Sequence, residues 1–124
     1  MRDKKNNLIL LELNEINFDV VKHYIDSGVK LDGYKRLLKL SSINTQAEDQ
    51  YNHLEPWIQW PSVHTGKTFH EHNIFRLGDF VNSNDDQIFE QVEKAGWIVG
   101  AISPMNASNK LNTVSYTHLR AHET

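Results

Sequence analysis

The stretch Leu54–Ile74, LEPWIQWPSVHTGKTFHEHNI, gathers the residues best suited to chemistry. It holds two of the three Trp, two of the three Pro and three of the seven His. Glu55, Ser62 and Thr65 are its candidate catalytic groups. A hydroxyl near a helix N-terminus can be activated as a nucleophile by the helix dipole and a metal. The same hydroxyls can also cap local backbone. His64, His70 and His72 invite a metal site. No Cys accompanies them, and their spacing lacks the His-x3-His pattern of a helical site, so they read as hydrogen-bonded structural histidines in a loop. Gly66-Lys67-Thr68 resembles the end of a phosphate-binding loop. The glycine such a loop needs five positions before its second glycine is replaced by Pro61, which has no amide hydrogen. A second polar group, Asn14-Glu15, follows an apolar run and suits either the start of a helix or a metal or phosphate ligand.

Elements must position these residues. Leu8–Leu13, LILLEL, is too short for a helix and fits a strand buried on both faces. Phe18, Val21, Tyr24 and Ile25 fall at helical spacing. Asn17 caps that helix and Gly28 stops it. Residues 31–40 read as a short amphipathic helix whose Lys35, Arg36 and Lys39 face solvent. Residues 41–45 read as a second strand, and 47–53 as a loop. Pro56 suits a first helical turn, Pro61 ends or kinks the helix, and Gly66 stops it. Phe75–Phe80 is turn-like. Ser83–Lys94 reads as the clearest helix: Ser83 and Asp86 have capping-box spacing, and Ile88, Phe89, Val92 and Ala95 form its buried stripe. Trp97–Ile102 reads as a strand and 103–113 as a loop. Strand–helix followed by helix–strand predicts an α/β fold, part of a mostly parallel sheet flanked by helices. Ligands of such sheets sit beyond the carboxyl ends of the strands, here Asn14-Glu15 and residues 103–106.

Composition narrows the class. The chain has 124 residues, a net charge of −3 and no cysteine. Its mean hydropathy is −0.57 and its pI is near 6.1. This balance recommends neither nucleic acid nor an anionic membrane as partner. The apolar run after the charged N-terminus stops at Glu12, too short for a signal peptide or a membrane span, which makes a cytoplasmic protein the expectation. Residues 114–124, VSYTHLRAHET, look like the conceptual translation of a sequencing adapter. They are set aside from the fold, and His118 and His122 with them. Residues 1–113 are then read as a truncated N-terminal fragment, expected to be inactive and poorly stable alone.

Three segments in order carry a resemblance. LILLELNEINFDVVKHYIDSGVKLDGYKRLL, WPSVHTGKTFHEHNI and FEQVEKAGWIVGAISPMN are together similar to the N-terminal part of the alkaline phosphatase superfamily, in its type I phosphodiesterase/nucleotide pyrophosphatase-like, sulfatase-related branch. Thr65-Gly66 and His72-Asn73-Ile74 stand where that family has Thr-Gly and His-Gly-Ile. The resemblance covers about residues 8–106. It implies a metal-dependent phosphoester, phosphodiester or sulfoester hydrolase acting on a small-molecule ester. Two divalent metals, usually zinc, would lower the pKa of an attacking Thr or Ser hydroxyl.

Departures from the pattern matter. The family's first metal Asp falls on Asn14, which supplies a carbonyl oxygen but no charge. Its nucleophile position falls on Glu55 or Pro56. Glu55 can restore the missing charge as a metal ligand, which makes Asn14 and Glu55 the implied metal residues. Ser62 can replace the nucleophile only if the helix is rearranged. The alternative expectation is a degenerate member that keeps the fold as a binding or scaffolding domain. An unrelated nucleotide-binding domain dependent on Lys67 is a weaker third.

Overall fold

The computed structural model describes residues 7–112, whose regular elements are short helices joined by irregular segments. The helices are α1 (Phe18–Asp26), α2 (Asp32–Leu37), α3 (Pro56–Thr65), α4 (Phe69–His72) and α5 (Ile88–Lys94). Short 3-10 turns cover Tyr51–His53 and Asp79–Asn82. The chain divides into two units, one ending at Thr45 and the other starting at Gln46.

The expected α/β fold is overturned. Among the described residues there is no strand ladder, only an isolated bridge residue at Ile102. Leu8–Leu13, residues 41–45 and Trp97–Ile102 are all non-helical segments without regular pairing. The physical reason is that apolarity alone does not make a strand. A strand buried on both faces needs ladder partners and covering layers. These runs lack ladder partners, and apart from Ala101 their side chains are mostly exposed: Leu8 is 85% exposed, Ile9 88% and Ile98 84%.

Local helix signals fare better. Asn17 caps α1, its Oδ1 accepting from the N–H groups of Asp19 at 2.9 Å and Val20 at 3.3 Å. Gly28, at φ 90°, follows the end of that helix. No side chain of α1 or α2 is buried.

The second unit has a core. Ile58 of α3 and Phe80 are fully buried, with Ile74, Phe89 and Ala101 nearly so. α3 starts with Pro56 in its first turn and runs through Pro61 to Thr65, so Pro61 does not end it. Gly66 stops it in a left-handed conformation, φ 71°. The stretch expected to be loop around His70 and His72 is instead the one-turn helix α4, closed by a capping box between Thr68 and Glu71.

The helix expected from Ser83 begins later, at Ile88. Gln87 is its N-cap residue, and its N–H donates to Glu90 Oε2 at 2.7 Å. Ser83 instead closes a local turn, its Oγ accepting from the Asp85 N–H at 3.1 Å. Of the expected stripe, Phe89 is buried and Val92 half-buried, whereas Ile88 and Ala95 are exposed.

Candidate functional site

The chemistry-bearing side chains of Leu54–Ile74 lie on α3, on α4 and on the residues around them. Ser62 lies well inside α3, past Pro61, so its hydroxyl is not at the helix N-terminus. It meets His72 of α4, with Ser62 Oγ 2.9 Å from Nε2. A Ser–His pair at this distance has the geometry of a nucleophile and its base.

The other ring nitrogen decides otherwise. The Ile74 N–H donates to His72 Nδ1 at 2.9 Å. A nitrogen that accepts carries no proton, so the neutral ring holds its proton on Nε2. Nε2–H therefore donates to Ser62 Oγ and cannot take the Ser62 proton. The alternative tautomer would set Nδ1–H against a backbone N–H. Burial depresses the pKa of His72, outweighing the nearby carboxylates of Glu48, Asp85 and Glu71, while Lys67 acts in the same direction as burial. The ring is thus neutral around pH 7 and fixed in the tautomer that bridges α3 to the turn after α4.

Thr65 is also committed to the backbone. Its hydroxyl donates to the Pro61 carbonyl at 2.7 Å and accepts from the Lys67 N–H at 3.2 Å. Lys67 forms an ion pair with Asp85, which removes the cation a phosphate loop would use. His64 is buried between the rings of Trp60 and Phe89, with Nδ1 3.2 Å from Gln87 Nε2. His70 is exposed beside the buried ring of His53. His53 lies 3.8 Å, centroid to centroid, from Phe69.

Glu55 is different. It is exposed at the N-cap position of α3, and its side chain makes no cap hydrogen bond. Asn14 belongs to the first unit, just before Glu15 at φ 58°. Zinc asks for four ligands, or three and a water. Among the described residues no three His, Asp or Glu side chains converge to hold a metal. Asn14 and Glu55 alone do not fit the pair of metals that the resemblance implies.

The densest polar geometry was missed by sequence reasoning. Pro61 has no N–H to give to the carbonyl of Trp57, four residues earlier. Asn106 Nδ2 supplies that bond at 2.7 Å and also donates to the Arg76 carbonyl at 3.1 Å. Asn106 Oδ1 accepts from the Gly78 N–H at 2.9 Å. Beside it, Gln87 Nε2 donates to the Asn106 carbonyl at 3.2 Å, and Gln87 Oε1 accepts from the Ser108 N–H at 2.8 Å. The Ser108 hydroxyl donates to buried Glu90. The one available signal was Pro61 itself, which predicts an orphan carbonyl at Trp57 without saying what fills it.

No protein-family model, characterised protein or solved structure matches this chain. No helix among the described residues is long and apolar enough to cross a membrane.

Proposed function

We propose that this chain is a catalytically degenerate relative of the phosphodiesterase-like hydrolases it resembles, acting as a binding or scaffolding domain. The observation that carries this reading is the tautomer of His72. With Nδ1 occupied by the Ile74 N–H, His72 stands beside Ser62 as a proton donor and not as a base. The hydroxyl of Thr65 is held by Pro61 in the same helix. Neither hydroxyl is prepared to attack an ester.

The test is an assay of the full chain with added zinc or manganese on an aryl phosphate, a bis-aryl phosphodiester and an aryl sulfate. Turnover no faster than the metal in buffer is expected, and the same for Ser62→Ala. Metal-dependent turnover lost in Asn14→Ala or Glu55→Ala would overturn the reading.

That second outcome belongs to the hydrolase reading, in which Asn14 and Glu55 hold divalent metal. One observation favours it: the Glu55 carboxylate is exposed and not engaged in capping its own helix. It requires further ligands to join Asn14 and Glu55. Zinc binding at a sub-stoichiometric chelator concentration, lost in Glu55→Gln, would support it.

A further inference from the structure

His72 closes α4, and both nitrogens of its buried ring are engaged. A second proton can enter only at Nδ1. There it would face the Ile74 N–H, donor against donor, across 2.9 Å. Ile74 is itself buried, so its amide has no water at hand to replace the lost acceptor. The charged groups around the ring come from four places. Glu48 precedes α3, Lys67 lies between α3 and α4, Glu71 is on α4 and Asp85 precedes α5. Ser62 of α3 and the ring of Phe69 complete the surroundings.

We propose that His72 is a proton-operated latch. Neutral, it pins α4 and the Asn73–Ile74 turn to α3. Protonated, it expels the Ile74 N–H and frees the turn. The carboxylate of Glu48 accepts from the Phe69 N–H at 2.6 Å, Asp85 pairs with Lys67, and Glu71 closes the α4 capping box. The Thr68 N–H and hydroxyl hold the Glu71 carboxyl below the usual carboxylate range.

The direction follows from linkage. The pKa of His72 is lowered in the fold, mainly by burial. The unfolded chain takes up the proton more readily. The stabilisation is complete above the unfolded value, about pH 6.5, and is lost as pH falls through the lower folded value. This inference does not depend on the proposed function, because the latch needs neither a substrate nor a metal.

The test is a nuclear magnetic resonance titration of the full chain from mildly alkaline to mildly acidic pH, below the ordinary histidine range. The His72 ring and the Ile74 amide are expected to move with one shared midpoint, below the ordinary histidine value of about 6.5. Trp57 Nε1–H, which donates to the Phe75 carbonyl next to Ile74, reports on release of the turn. Hydrogen exchange at Ile74, corrected for its intrinsic pH trend, should accelerate roughly fivefold or more, as loss of one hydrogen bond implies. His72→Asn places Oδ1 where Nδ1 stands and cannot titrate, so its Ile74 amide should stay flat. Ser62→Ala should keep the response, because Nδ1 is the operative atom. An Ile74 amide that stays flat while His72 titrates would overturn the latch. So would a response that survives His72→Asn or vanishes in Ser62→Ala.

Discussion

The unit up to Thr45 and the unit from Gln46 are made of the same kind of short helix but held by different means. In the first, α1 is capped by Asn17, α2 has no side-chain cap at its start, and no helical side chain is buried. In the second, α3, α4 and α5 are held by buried side chains that bond across long separations. Asn106 and Trp57 are 49 residues apart, and Gln87 and His64 are 23 apart. Short helices are marginal by themselves, so the second mechanism is the one able to make a cooperative structure. The contrast predicts where substitutions matter.

The largest effect is expected at Asn106. Asn106→Ala leaves the carbonyls of Trp57 and Arg76 and the Gly78 N–H without their partner. It also places alanine at φ 52°, a conformation asparagine tolerates better. A lost hydrogen bond costs about 1 kcal/mol and more where the group left behind is buried, so the three together are on the order of 3 kcal/mol. Urea denaturation followed by tryptophan fluorescence should show the transition of the second unit moved to much lower denaturant, or lost. A midpoint unchanged from wild type would mean that this hub does not hold the unit.

A smaller and sharper effect links Asn106 to Pro61. Pro61→Ala restores an N–H that can bond the Trp57 carbonyl within α3. Asn106→Ala should then be less costly in the Pro61→Ala background than in wild type, by about 1 kcal/mol, the net worth of one hydrogen bond. A double-mutant cycle measures this coupling. Purely additive effects would show that the missing proline amide is not what recruits Asn106.

The same contrast explains what could be read from the sequence. Asn17, Gly28 and Gly66 were legible because caps and stops are decided by neighbouring residues. LILLEL and WIVGAI misled because an apolar run reports only a wish for burial, and the partner strands that would grant it are not encoded in the run. Ser83 was a plausible cap, yet Gln87 took that role, because the Gln87 amide is tied to His64, Asn106 and Ser108, none of them local. In the candidate site, the residue pattern around His70 and His72 suggests a loop, so the Ser62–His72 meeting is not legible in it. The acceptor role of His72 Nδ1 depends on a single backbone N–H, which no residue type announces.

The remaining predictions concern the first unit and are smaller. Asn17→Ala removes the acceptor for the N–H groups of Asp19 and Val20. A lost N-cap costs about 1 kcal/mol. Because α1 has no buried face, the loss should appear as lower helicity of residues 18–26 in carbon chemical shifts, leaving the urea midpoint of the second unit unmoved. A shift in that midpoint would show that the two units unfold together.

The smallest effect is expected at Leu10, and it tests the comparison from the opposite side. A strand residue buried on both faces would lose several kcal/mol on replacement by a charge, since an unpaired charge cannot be left in an apolar interior. Leu10 is largely exposed on a segment with no ladder. Leu10→Asp should therefore change stability by no more than about 0.5 kcal/mol, the usual range for a surface site. It should also raise solubility by interrupting a run of exposed apolar side chains. A loss of several kcal/mol would mean that Leu8–Leu13 is buried in solution, and the difference between the two units would then disappear.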